Sequence, residues 1–101
     1  MTTPLSNPQK RYLRGLAHDL KPIILVGAKG PSEALLAELD CALERHELLK
    51  VKFAADDRDT RDAWIAHLVE QSKADLVARI GNIVVLFRRS KDKPLIILPK
   101  A

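Results

Sequence analysis

An apolar run, Ile23-Ile24-Leu25-Val26, leads into Gly27-Ala28-Lys29-Gly30 and then Pro31. Two glycines three residues apart let a backbone turn tightly and let another chain come close, because neither carries a Cβ. Lys29 sets a positive charge between them. Pro31 suits the first position of a following helix, where its missing N–H is no loss. The free N–H groups of that helix's first turn, with the positive end of its dipole behind them, would then face the loop. Together these parts make a corner suited to a phosphate; the plainer alternative is an ordinary strand-to-helix connection.

Other chemistry is scarce. His18, His46 and His67 fall on three different helices or helix ends, and His46 after Arg45 suits a helix C-terminal turn. Cys41, the single cysteine, lies in the second predicted helix near its apolar face and reads as a small buried hydrophobe. Ser32 follows the loop without the Gly-Lys-Ser/Thr of a nucleotide-binding P-loop, and two glycines stand where a dinucleotide fold wants three. Asp56-Asp57-Arg58-Asp59-Thr60 reads as a capping cluster at a helix start rather than as a metal site. No catalytic residue, metal or cofactor is expected.

The elements that must position the loop follow from periodicity. Asn7-Pro8 opens a helix over 7–18, with Tyr12, Leu13, Leu16 and Ala17 at helical spacing and Lys10, Arg11 and Arg14 opposite. The apolar side is small and brings no Trp or Phe to a bilayer. Strand one follows Pro22, which tolerates an edge position. Helix two runs from about Pro31 to Arg45, burying Leu35, Leu36, Leu39, Ala42 and Leu43 and leaving Glu33, Glu38, Asp40 and Glu44 wet. Residues 48–55 alternate, with Leu49, Val51 and Phe53 on one face and Lys50 and Lys52 on the other. Helix three carries Trp64, Ile65, Leu68 and Val69. Strands Leu76–Ile80 and Ile83–Arg88 flank Gly81-Asn82, a two-residue hairpin turn. Arg88, Arg89, Lys91 and Lys93 leave that hairpin together, and Leu95–Leu98, closed by Pro99, offers a last short strand. The class is α/β, a mixed sheet with three helices.

At 101 residues the chain makes one domain, 1–101, with its core over about 5–99. A domain of this size buries roughly 60–65% of its unfolded surface and folds without staples. One cysteine excludes an intramolecular disulfide and points to a reducing compartment. No apolar run approaches the roughly 20 residues of a membrane span, and the N-terminus lacks a signal-peptide pattern. A cytoplasmic protein is expected.

Charge is sorted along the chain. Residues 1–30 hold five Lys/Arg against one acid, 31–62 five against nine, and 63–101 seven against three. Such polarity steers a polyanion. Of four aromatic residues, Phe53, Trp64 and Phe87 take core-like positions, which leaves Tyr12 as the one ring expected at the surface. Readers of single strands that stack bases on rings need several. The mode left is a grip on phosphates, 2′-hydroxyls and shape, which favours structured RNA.

Three stretches carry a family resemblance: Leu20-Lys21-Pro22-Ile23-Ile24-Leu25-Val26-Gly27-Ala28-Lys29-Gly30, His46-Glu47-Leu48-Leu49-Lys50-Val51-Lys52, and Ile80-Gly81-Asn82-Ile83-Val84-Val85-Leu86-Phe87-Arg88. In that order they resemble the CRM domain, and more closely its stand-alone bacterial, YhbY-like form. The resemblance implies a mixed four-stranded sheet with three helices, similar to the C-terminal domain of initiation factor three. It implies RNA binding in precursors of the large ribosomal subunit; plant relatives use the domain in intron splicing. The family's Gly-x-x-Gly loop falls on Gly27, Ala28, Lys29 and Gly30, and its basic helix-one positions on Lys10, Arg11 and Arg14.

The expectation is a monomeric protein that grips rRNA and assists large-subunit assembly without a covalent step. Gly27, Ala28, Lys29 and Gly30 seat a phosphate, flanked by Lys10, Arg11, Arg14, Arg88 and Arg89. The alternative is an interaction module whose acidic helix-two face, Glu38, Asp40 and Glu44, docks a basic ribosomal protein.

Overall fold

The computed structural model describes residues 5–55, 57–90 and 96. Its elements run α1 (Asn7–Ala17), β1 (Ile24–Val26), α2 (Glu33–His46), β2 (Leu48–Phe53), α3 (Arg58–Ser72), β3 (Asp75–Ile80) and β4 (Ile83–Phe87), the succession that periodicity predicts. Asp56 of the capping cluster, Lys91 and Lys93, and all but Ile96 of the Leu95–Leu98 segment lie outside the described residues.

The strands form one sheet in the order β1-β2-β4-β3. β1 lies parallel to β2, and the remaining pairs are antiparallel. Both faces of β2 are covered in part. Leu49, Val51 and Phe53 join Leu39, Leu43, Ile65 and Leu68 beneath α2 and α3, while Leu48 joins Leu13, Ala17, Val77, Val85 and Phe87 beneath α1. Alternation thus serves two cores, with α2 and α3 on one face and α1 alone on the other.

Serines, not the expected residues, start two helices. Ser6 caps α1, accepting from the Gln9 N–H at 3.2 Å while the Gln9 side chain accepts from the Ser6 N–H at 3.1 Å. Asn7 is therefore helical, and Pro8 lies in the first turn. Ser32 caps α2, its hydroxyl accepting from the Leu35 N–H at 3.1 Å, so Pro31 precedes the helix instead of opening it. A serine hydroxyl satisfies a helix-start donor that a proline cannot reach. Asp57 caps α3, accepting from the Thr60 N–H at 2.7 Å.

Cys41 is exposed, against expectation. Two residues beyond the buried Leu39 is 200° of helical rotation, which carries the side chain to the far side. Trp64 is partly buried, whereas Phe53 and Phe87 are buried.

At the α2–β2 junction Glu47 is fully buried with φ of +61°. Its N–H donates to the Leu43 carbonyl at 2.8 Å, and its carbonyl accepts from the Arg88 N–H at 2.9 Å. Its carboxylate accepts from the Ser90 N–H at 2.6 Å and the Ile96 N–H at 2.7 Å. One side chain so fixes the end of α2 to the chain beyond β4. A buried charge persists only when hydrogen-bonded in this way.

Replacing Glu47 with alanine strands two N–H groups at about 1–3 kcal/mol each, so denaturant unfolding should show a loss of about 2–6 kcal/mol. Glu47→Gly should lose less, because φ of +61° suits glycine. Equal losses would show that the backbone carries no strain there. Cys41 should react with thiol reagents nearly as fast in the native protein as in denaturant; slow native labelling would contradict its exposure.

Candidate nucleic-acid interface

The Gly27–Gly30 loop leaves the sheet where β1 and β2 end and the β3–β4 hairpin turns. Ala54 N–H donates to the Val26 carbonyl at 2.9 Å, and Phe53 N–H donates to that of Asn82 at 2.8 Å. The Asn82 amide returns a 3.1 Å bond to the Phe53 carbonyl, and Arg61 reaches the Gly81 carbonyl at 3.4 Å. Loop, hairpin and the start of α3 thus share one end of the sheet.

Within the loop, Gly30 N–H donates to the Gly27 carbonyl at 3.0 Å, closing a turn with Ala28 and Lys29 exposed at its tip. Gly30 has φ of +85°, and a Cβ there would lie 2.9 Å from Trp64 Cε2. The indole therefore backs the loop, and only glycine fits. A Cβ on Gly27 would meet nothing within 4 Å, so that side of the turn is open to an outside group. The start of α2 contributes less than expected: Ser32 takes the Leu35 N–H, and Glu33 sets a carboxylate in the first turn. Lys29 is the one charged side chain of the loop.

From the loop a cationic surface continues across the α1 face of the sheet. Leu25, Lys52, Ile83 and Ile80 stand in one register row across all four strands. α1 does not reach over this row, and Leu25 and Ile80 are 60% and 59% exposed. One row below, the Lys50 ammonium donates to the His18 carbonyl at 3.3 Å, docking the end of α1 where a cation is favourable. Beside it opens a cleft of about 520 Å³, lined by Arg11, Arg14, Gly15, His18, Asp19, Lys50, Ile80 and Val85 among others. A second, of about 480 Å³, runs along Lys21, Ile23, Leu25 and Lys52 next to the loop.

The structure divides the expected site residues. Arg11 and Arg14 share the α1 face with Lys52, which leads to Gly27, Ala28, Lys29 and Gly30. Lys10 faces the other way, toward Asp75, whose carboxyl is pushed up by burial and drawn back down by the Lys10 charge. Arg88 and Arg89 follow Phe87, which pairs with Leu48 at the opposite end of β2, roughly 15–20 Å from the loop at about 3.3 Å per residue. Arg88 is engaged within the fold. Its guanidinium donates to Asp40 Oδ1 at 2.7 Å, the Ser72 carbonyl at 2.8 Å, the Asp40 carbonyl at 3.0 Å and Glu44 Oε1 at 3.3 Å. Arg89 is exposed beside it. The same bonds occupy Asp40 and Glu44, two of the three acids assigned to a docking face. Lys50, Lys52 and Trp64 were not among the sequence candidates. Alternation in β2 already places both lysines beside Leu48 on one face; nothing local joins Trp64 to Gly30.

Among the described residues no group of three His, Cys, Asp or Glu could hold a metal, and no helix is long and apolar enough to cross a membrane.

Residues 5–88 match the CRS1 / YhbY (CRM) domain. A Haemophilus influenzae protein named "RNA-binding protein" is 47% identical over 90 residues, covering 89% of this chain and 91% of its own. A Bacillus subtilis protein named "Probable RNA-binding protein YqeI" is 38% identical over 95 residues, covering 94% and 99%. A solution structure from Staphylococcus aureus superposes with a TM-score of 0.80 at 38% identity, covering 94% of this chain and 99% of that one.

A folded carboxyl pKa raised above its unfolded value means that the native chain holds the proton more tightly, so Asp75 costs stability as pH rises through that raised value. Asp75→Asn should therefore raise the melting temperature at neutral pH, with the gain fading as pH falls below the ordinary carboxylate range. A gain that persists in acid would point to packing instead.

Proposed function

Because the chain belongs to the CRS1 / YhbY (CRM) domain family, whose relatives bear RNA-binding names, we propose that it is a cytoplasmic, monomeric RNA-binding protein acting on rRNA in large-subunit precursors. It assists assembly by gripping structured RNA and makes or breaks no covalent bond. The observation that carries this reading is the placing of the Gly27–Gly30 turn, Lys52, Lys50, Arg11 and Arg14 on one side of the sheet, the last four along two clefts.

That surface suits phosphates. Lys29 and the open side of Gly27 receive one, and the lysines of β2 and arginines of α1 receive others along the same backbone. Contacts of this kind fix register and carry no base information by themselves. RNA shape, with its 2′-hydroxyls, supplies the discrimination. The acidic docking alternative is less favoured, since Asp40 and Glu44 pair with Arg88 and leave Glu38 as the remaining acid assigned to it.

Binding through about four to six phosphate contacts, each worth about 0.7–0.9 in slope, gives a log K against log salt slope near −3 to −5 for an rRNA hairpin. A flat response would contradict the mode. Replacing Ala28 and Lys29 with aspartate should weaken binding at least tenfold, about 1.4 kcal/mol, and move the melting temperature by only a few degrees. Glu38→Ala is the control, because Glu44 is committed to Arg88. If the loop variant binds RNA normally while Glu38→Ala loses association with ribosomal precursors, the protein-docking reading replaces this one.

A further inference from the structure

The cleft beside α1 combines features that phosphate gripping alone does not require. Gly15 lies within α1, where glycine weakens a helix relative to alanine through its backbone freedom. The fold does not call for it: its φ is not positive, and a Cβ there would meet nothing within 4 Å. The side chain it lacks would project into the cleft. Across from it Ile80 is 59% exposed at the end of β3, and Val85, itself buried, lies beneath the floor. Arg11, Arg14 and Lys50 supply positive charge at the walls and outnumber the one carboxylate there, Asp19. Lys50 spends one donor on the His18 carbonyl and keeps two.

A narrow apolar floor, planar cations on one wall and an ammonium on another fit a ligand that is flat, apolar on its faces and anionic along its edge. An unpaired nucleotide has that chemistry. From these contacts we infer that the cleft takes one or two unpaired nucleotides of the bound RNA. The base lies against Ile80, its phosphates meet Arg11, Arg14 and Lys50, and Gly15 leaves room for it. Guanidinium planes receive unstacked bases in this manner. The size, about 520 Å³, lies within the range of small-ligand sites. This inference rests on the RNA-binding reading and adds to it a preference for unpaired segments over closed duplex.

The test compares two RNA probes of equal phosphate number, a hairpin with a single-stranded loop and a fully paired duplex, on the whole chain. Wild type should prefer the hairpin. Gly15→Leu should erase that preference, lowering hairpin affinity at least fivefold with little change for duplex. Gly15→Ala should melt higher than wild type yet bind the hairpin more weakly, a pairing that loss of fold cannot produce. In methyl NMR an oligouridylate should shift the Ile80 methyl signals. If both Gly15 variants bind the hairpin as wild type does, or if those methyls stay silent while the Ala28 and Lys29 amides move, the cleft is not a nucleotide site and the loop reading stands. If wild type binds neither probe, both readings fall. Unchanged hairpin binding by Gly15→Leu together with lost association with ribosomal precursors would assign the cleft to a protein and overturn the inference.

Discussion

A four-stranded sheet has two faces to remove from water, and this chain gives two helices to one and a single short helix to the other. α1 has eleven residues, about 16 Å at 1.5 Å per residue, and a helix with its side chains is about 10 Å across. Four strands at about 4.8 Å spacing need more than that. α1 therefore seals Leu48, Val77, Val85 and Phe87 and stops short of the row Leu25, Lys52, Ile83 and Ile80. The open end of that face is also where β1 delivers the glycine turn. The proposed binding surface and the packing shortfall are the same place.

Charge is arranged to match. The acids concentrated in residues 31–62 are largely spent inside the fold: Asp40 and Glu44 on Arg88, Asp57 on the start of α3, Asp62 on Arg79 and Glu47 on the chain beyond β4. Hydrogen bonding from the Thr60 side chain and N–H holds the Asp57 carboxyl below its ordinary value. Lys29, Lys52, Arg11 and Arg14 keep their charge for the other face. With a screening length of about 8–10 Å in ordinary salt, separation of the two sets across the sheet is enough for the cationic side to act as one field.

Element order and strand positions were legible because helical periodicity survives in α2, alternation survives in β2, and Gly81-Asn82 marks the turn between the apolar runs of β3 and β4. Caps were less so: Asn7-Pro8 and Gly30-Pro31 look like helix starts, yet Ser6 and Ser32, one place away, have the hydroxyl geometry to win. The exposed side of Cys41 was readable from its spacing to Leu39. Arg88 was not readable, since its partner Asp40 lies 48 residues away and a local run of cations looks the same whether bound or free. The loop was legible as a motif, but the reason for its second glycine, the Trp64 indole, exists only in the folded chain.

That indole separates two kinds of glycine in one short protein. Gly30 is dictated from within, by a positive φ and a ring that a Cβ would strike. Gly27 and Gly15 are not: both have open space where a side chain would stand, and neither needs a left-handed backbone. Gly15 weakens its helix for no internal return, and Gly27 leaves one side of its turn bare, so the reason for each lies outside the fold. Both face the cationic side, one at the turn beyond β1 and one beside the cleft. Two such positions on one surface make physical sense when a second chain passes along it, close enough to meet backbone at each end.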